Sequence, residues 1–206
     1  MADIKFIILS FKIIIVNTIR AALASDASSI LAIYAPYILN TAVSFETEVP
    51  SKENFSQRII KNQETYPWLV YESQGTIAGY AYASRHRERA AYQWSVESSV
   101  YVNSDFQLKG IATKLYKALF ELLKYQGCRN VYAGITLPNE KSLRFHEKIG
   151  FQKIADYTNI GYKLNRWNTV SWFQLSLNDY GDAPAPFIKL KDIAPEDVER
   201  ILIKAD

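Results

Sequence analysis

The chain has 206 residues, 49% hydrophobic and 22% charged, which suits one compact domain with decorations and leaves two similar domains cramped. One cysteine and two histidines, His86 and His146, exclude a four-cysteine zinc site and a disulfide framework and argue against any His/carboxylate metal site. The 24 basic and 21 acidic residues give a net charge of +3 with no run of five like charges, so the concentrated basic patch of a nucleic-acid binder is missing.

Ile4 to Val16 reads IKFIILSFKIIIV, about 13 residues against the ~20 that span a bilayer, with Lys5 and Lys12 inside it. Asp3 stands where a signal peptide would carry a basic start, so the run is expected as a buried or extended first strand and not as a signal or anchor. Ser25 is then expected to cap a helix whose apolar stripe includes Ile30, Leu31 and Tyr34, with Pro36 bending or ending it. Ser51 is a second cap, and Phe55, Ile59 and Ile60 mark the buried side of the helix it starts.

From Trp68 the period changes. PWLVYES and TIAGYAYAS, separated by Gln74-Gly75, predict two strands and a tight turn, and Gln93 to Val102 predicts a third. In that strand Val96, Ser98, Val100 and Val102 share one face, and Glu97, Ser99 and Tyr101 the other. Gly110 to Tyr125 carries Ile111, Leu115, Leu119 and Leu122 at helical spacing, with Gly127 as its stop. Val131 to Thr136 predicts a short buried strand, and Asn139 caps a helix that Gly150 ends. Strands near Phe151–Ala155 and Trp172–Leu177 follow, then a joint at Ala183-Pro184-Ala185-Pro186 and a short helix within Asp192–Ala205.

The segment Gln107-Leu108-Lys109-Gly110-Ile111-Ala112 lies between a strand and a helix start, where free backbone N–H groups attract an anion and Gly110 with Ala112 lets a phosphate approach. Alone it reads more readily as an ordinary turn, and it is neither a three-glycine dinucleotide fingerprint nor a Walker loop. Downstream stands LPNEKSLRFHEKIGF, Leu137 to Phe151, a strand end, an Asn cap and a helix closed by Gly-Phe. Together the two segments resemble the pyrophosphate-binding motif and following helix of the GNAT acetyltransferases, which bind acetyl coenzyme A. Val43-Ser-Phe45-Glu-Thr-Glu48, Trp94-Ser-Val-Glu97-Ser-Ser-Val100-Tyr101-Val102 and Gly161-Tyr-Lys163-Leu-Asn-Arg-Trp167 narrow the resemblance to the phosphinothricin acetyltransferase subfamily, over about residues 17 to 177.

That resemblance implies an α/β (α+β) GNAT fold, a mixed and mostly antiparallel sheet of about seven strands flanked by helices. It implies an apolar extension at 1–16, the acetyltransferase domain at 17–178 and a tail at 179–206. The implied cofactor is acetyl-CoA, a co-substrate, held by Val100, Tyr101, Val102, Gln107, Leu108, Lys109, Gly110, Ile111, Ala112, Asn139 and Ser142, without a metal. The implied acceptor is a small-molecule amine, an amino acid or analogue, and Phe45, Arg87, Arg89, Tyr92 and Lys163 are its expected neighbours. Arg87 and Arg89 fit its carboxylate because a guanidinium clasps two oxygens at once, although pattern alone also fits a solvated basic turn.

Pattern alone reads Glu97 as a solvated or ion-paired strand residue; the resemblance makes it the general base, directly or through water, because an amino-acid ammonium must lose a proton before it attacks a thioester. His146, on the second helix, is implied as an acid or polar group near the coenzyme sulfur, and His86 is given no part. A cytoplasmic homodimer is expected. The open alternatives are a non-catalytic acyl-CoA-binding module and an acetyltransferase for a polyamine, an aminoglycoside or a protein N-terminus. Two positions depart from the pattern: Leu108 where relatives carry a basic residue, and Thr169 where they often carry Asp.

Overall fold

The computed structural model describes residues 17–181 and 183–205. The apolar run at 4–16, with the strand expected for it, lies outside the described residues. Seven strands form one sheet: β1 (Asn17–Ala21), β2 (Trp68–Ser73), β3 (Thr76–Arg85), β4 (Ser95–Val102), β5 (Asn130–Thr136), β6 (Gln152–Lys163) and β7 (Arg166–Ser176), in the order β1-β2-β3-β4-β5-β7-β6. Every neighbouring pair is antiparallel except β4 with β5. Among the described residues five α-helices cover it: α1 (Ala27–Asn40), α2 (Lys52–Gln63), α3 (Ile111–Tyr125), α4 (Glu140–Lys148) and α5 (Pro195–Ala205).

Two apolar layers result. Ile30, Ile33 and Ile38 of α1 and Phe55 and Ile59 of α2 meet Trp68, Val70, Tyr80 and Tyr101 on one face of the sheet. On the other face Ile111, Leu115, Leu119 and Leu122 of α3 meet Leu69, Ala81, Val96 and Val131. The alternation predicted for β4 holds, since Val96 belongs to the α3 layer and Tyr101 to the α1–α2 layer.

Several expectations need correction. Pro36 neither ends α1 nor stops it early, for the helix continues to Asn40. The carbonyl that loses its partner there belongs to Ala32, and both Ala32 and Pro36 are exposed, so water can take the missing donor's place. The residue before α1 is Asp26, not Ser25, and it is the last residue of a 3₁₀ turn at Ala24–Asp26. Its carboxylate accepts from Arg20 Nη1 at 2.7 Å, Arg20 Nη2 at 3.1 Å and the Leu23 N–H at 2.7 Å. Burial pushes the Asp26 carboxyl up, but Arg20 and the Leu23 amide outweigh it and hold the group below the usual carboxylate range. Ser51 caps α2 as expected, accepting from the Asn54 N–H at 3.1 Å, but Ile60 is exposed because only Phe55 and Ile59 face the sheet.

β6 and β7 are each roughly twice the expected length, and they meet in a two-residue turn with Leu164 and Asn165 at φ 52° and 58°. The residues beyond β7 fold back onto the α3 layer. Phe187, Val198 and Ile201 pack against it, Leu202 is buried in it, and Gln126 Nε2 donates to the carbonyls of Thr65 and Ile188 at 2.7 and 2.8 Å.

Candidate active site

β4 and β5 pair only over Ser95–Glu97 and Asn130–Tyr132. On their outer sides β3 follows β4 to Val102 and β7 follows β5 to Thr136, so the two central strands part beyond Glu97 and Tyr132 and leave a split in the sheet. The Asn130 N–H donates to Trp94 O at 3.2 Å and the Asn103 N–H to Ala78 O at 2.9 Å, which fixes the alternation along β4. Even-numbered residues turn their backbone groups toward β5 and odd-numbered ones toward β3. Val100 and Val102 therefore present main-chain groups to the split, and the Tyr37 hydroxyl donates to Val102 O at 3.1 Å. Tyr101, expected beside them, has its backbone in the β3 ladder and its ring buried in the α1–α2 layer.

At the wide end of the split the chain turns into α3. Leu108 and Gly110 have φ of 64° and 77°, and Gly110 occupies the N-cap position with no side chain capping the helix. Successive N–H groups in such a turn make a concave anion seat on the positive end of the helix dipole. A Cβ on Gly110 would meet nothing within 4 Å, so the glycine answers to its left-handed backbone and not to crowding. Leu108 is 93% exposed, the Ile111 side chain lies in the core, and Lys109 Nζ donates to Asp105 O at 3.2 Å and sits over the Phe106 ring. The Gln107 N–H already donates to Ser104 O at 3.4 Å, so what the turn can offer an anion is the main-chain amides from Leu108 to Ala112. Lys141 Nζ donates to Gln107 Oε1 at 2.6 Å and ties the first turn of α4 to this loop, a link the sequence reading did not anticipate. Asn139 Oδ1 accepts from the Ser142 N–H at 3.2 Å and caps α4 as expected.

His146 is 5% exposed, among the rings of Tyr116, Phe145 and Phe151. Its Nδ1 lies 2.8 Å from the Ser142 carbonyl and 3.3 Å from Ser142 Oγ. A carbonyl can only accept, so Nδ1 carries the proton and Nε2 is left to accept from the Tyr116 hydroxyl at 3.5 Å. Burial pulls the imidazole below its usual range, partly offset by the bond to Ser142. Tyr116 OH in turn lies 3.3 Å from Ser98 Oγ, so a polar line runs from β4 through α3 to α4. The neutral ring stands at its inner end, one hydroxyl removed from the strand.

Glu97 and Tyr132 are the last register pair before the strands part, and the Glu97 side chain is 35% accessible. Its face of the sheet also carries Ser99, paired with Tyr82. Tyr82 belongs to the wall of a cleft of about 690 Å³ between α1, α2 and the sheet, with Tyr34, Trp68, Arg58 and Arg85. The Trp68 indole stacks on Tyr82 at 4.3 Å, and its buried N–H has no partner among the described residues. Of the basic residues in the β3–β4 loop region, Arg85 lines this cleft, whereas Arg87 and Arg89 are exposed and Tyr92 is half-exposed. Phe45 and Lys163 do come together. Lys163 Nζ donates to Ser44 O at 2.6 Å, and the Phe45 ring occupies the place that a Cβ on Gly161 would take, so a larger residue there would have to displace the ring. These two contacts clamp the loop after α1 to the β6–β7 hairpin. Burial lowers the Lys163 amine, against the pull of Glu46.

Among the described residues no group of His, Cys, Asp and Glu could hold a metal, and no helix is long and apolar enough to cross a membrane. The acetyltransferase (GNAT) domain family matches residues 19–172. The phosphinothricin N-acetyltransferase of Streptomyces viridochromogenes is 38% identical over 168 residues, 82% of this chain and 90% of that protein. The L-methionine sulfoximine/L-methionine sulfone acetyltransferase of Salmonella typhimurium is 32% identical over 79% of this chain and 96% of its own. The solved structure of a GNAT superfamily phosphinothricin acetyltransferase from Sinorhizobium meliloti in complex with acetyl-CoA superposes with a TM-score of 0.77, at 29% identity over 84% of this chain and 98% of that one. With its split sheet, left-handed turn at the α3 N-terminus and matched sequence, the chain belongs to the GNAT acetyltransferase family, in its phosphinothricin acetyltransferase-like branch, and is an acetyl-CoA-dependent N-acetyltransferase.

Proposed function

We propose that the chain transfers the acetyl group of acetyl-CoA to the amino group of a small amino acid or analogue of the phosphinothricin or methionine sulfoximine type, with Glu97 as the general base. The observation that carries this reading is the position of Glu97 at the vertex where β4 and β5 part, on the sheet face that also carries Ser99, whose register partner Tyr82 is in the cleft wall. The residues present fit a pantetheine thioester. Val100 and Val102 offer backbone donors and acceptors along the split, and the turn at Leu108–Ala112 offers amides to a diphosphate at its wide end. Acetyl-CoA supplies the activated acyl group.

The Glu97 carboxylate accepts a proton from the acceptor's ammonium, directly or through one water. The freed amine forms the new N–C bond as the C–S bond breaks; the electron pair leaves on the coenzyme sulfur, and the nitrogen's surplus proton ends on that sulfur, giving the amide and the free thiol. His146, behind Ser98 and Tyr116, is the polar group on the sulfur's side of the sheet. Arg85 in the cleft supports an acceptor that carries a carboxylate, with Arg87 and Arg89 on the exposed loop beyond it; Phe45 and Lys163 set the far wall. The chain then comprises an extension at 1–16, the catalytic domain at 17–178 and a tail at 179–206. The exposed aromatic and apolar face of the β6–β7 hairpin, including Ile160, Tyr162 and Trp167, is the proposed contact of a cytoplasmic homodimer.

Thiol release from acetyl-CoA in the presence of phosphinothricin, methionine sulfoximine, methionine sulfone, spermidine and an aminoglycoside tests the assignment. Cys128 is fully buried and burial pushes its thiol up to about 12, so a thiol reagent reads the coenzyme and not the native protein. Release with the first three acceptors is expected; release only with the polyamine or aminoglycoside would overturn the acceptor class.

A further inference from the structure

His86 has no role in the reading above, yet its Nδ1 lies 3.0 Å from Glu97 Oε1. The fold makes this contact. β3 ends at Arg85, the register sets Ser84 opposite Glu97, and the next residue therefore leaves the sheet beside the Glu97 side chain. Across the vertex, Glu97 is paired with Tyr132, and the His86 ring lies flat on the Tyr132 ring at 4.5 Å and 19°. The edges of Trp172 and Tyr92 close around it at 6.1 and 6.5 Å. The His86 side chain is only 15% accessible, less than half the accessibility of the Glu97 side chain at 35%.

An ionised carboxylate can only accept, so His86 Nδ1 must carry the proton between them. One Glu97 oxygen is then spent on the imidazole and the other is left for the acceptor's ammonium. A glutamate has three rotatable side-chain bonds, and a partially accessible one samples several rotamers; a ring fixed by three aromatic neighbours removes that freedom at one oxygen. We propose that His86 is a positioning residue for Glu97, holding Oε1 so that Oε2 points to the amine that is to be deprotonated. The proposal rests on Glu97 being the base.

Two substitutions separate the hydrogen bond from the packing. His86→Phe keeps a ring against Tyr132 and removes the donor; His86→Asn removes the ring and keeps an N–H near the place of Nδ1. Steady-state kinetics on the full chain, with thermal unfolding as the check on folding, should show kcat down roughly tenfold in His86→Phe with the KM for acetyl-CoA within about twofold, and His86→Asn within roughly threefold of wild type. Because both residues act on one step, His86→Phe added to Glu97→Gln should slow the enzyme by no more than about twofold further. Wild-type turnover in His86→Phe, equal impairment in both His86 variants, or losses that multiply in the double variant would overturn the positioning role. A slow Glu97→Gln beside a wild-type His86→Phe would leave the base in place and remove only His86. Wild-type turnover in Glu97→Gln would remove both.

Discussion

Replacing Gly110 by Ala asks whether the turn before α3 is an anion seat. The added methyl meets nothing within 4 Å, so no clash complicates the result; the only cost is that of a left-handed backbone at φ 77° with a Cβ in place. That cost is roughly 1–2 kcal/mol for a non-glycine residue. Where the turn keeps its shape, the cost falls on folding and lowers the unfolding free energy. Where it relaxes in the free protein, the cost falls on binding and weakens acetyl-CoA by about 5–30-fold, since 1.4 kcal/mol is a factor of ten. The two losses, measured by urea unfolding and by calorimetric titration, should therefore sum to roughly 1–2 kcal/mol. Acetyl-pantetheine, which lacks the diphosphate, should bind the variant and the wild type alike. An affinity loss of the same size for both ligands would refute the seat, and so would a variant unchanged in both stability and affinity.

Three further substitutions probe the frame around the site. Lys163→Met leaves the Ser44 carbonyl without its buried donor and should lower Tm by roughly 3–8 °C, with a higher KM for the acceptor as the Phe45 loop loosens; an unchanged Tm would show that the clamp contributes nothing. His146 is held neutral by burial, so below its unfolded value of 6.5 the unfolded chain takes up a proton that the folded chain does not, and stability falls as pH drops from there toward the lowered folded value. In His146→Phe that part of the slope, at most about 1.4 kcal/mol per pH unit, should vanish from urea midpoints measured between pH 7.5 and 5.5, and parallel slopes would contradict the buried neutral ring. Pro36→Ala restores a donor to the exposed Ala32 carbonyl and should raise unfolding stability by about 1–3 kcal/mol, after the loss of proline's restraint on the unfolded chain; a fall in stability would mean that α1 bears no cost from Pro36.

The parts of the fold that could be read from sequence are those where a local signal coincides with burial. Ser51 and Asn139 cap their helices, α3 carries its apolar stripe, and Gln74-Gly75 turns β2 into β3 with both residues at positive φ. β6 escaped full detection because most of its residues are exposed, so no alternation marks its length. β1 was missed because only one of its five residues is buried and the neighbouring alanines read as a helix start. Around the candidate site, the Gly110 turn, the Asn139 cap and the place of Glu97 on β4 follow from local pattern, whereas the roles proposed for Gly110 and Glu97 come from the resemblance. The contact of His86 with Glu97 was not, because it depends on three strands at once: the end of β3, the register of β4, and Tyr132 supplied by β5. Arg85, and not Arg87 or Arg89, reaches the cleft for a related reason, since it is still in the β3 ladder while the other two lie beyond its end.

Glu97→Gln tests the central claim most directly. The amide keeps the size of the side chain and removes its capacity to take a proton. Base catalysis of this kind contributes about 10²–10⁴ in rate, so turnover with the best acceptor should fall at least roughly tenfold while the calorimetric affinity for acetyl-CoA stays within about twofold. Turnover equal to wild type, with acetyl-CoA bound as before, would contradict the account.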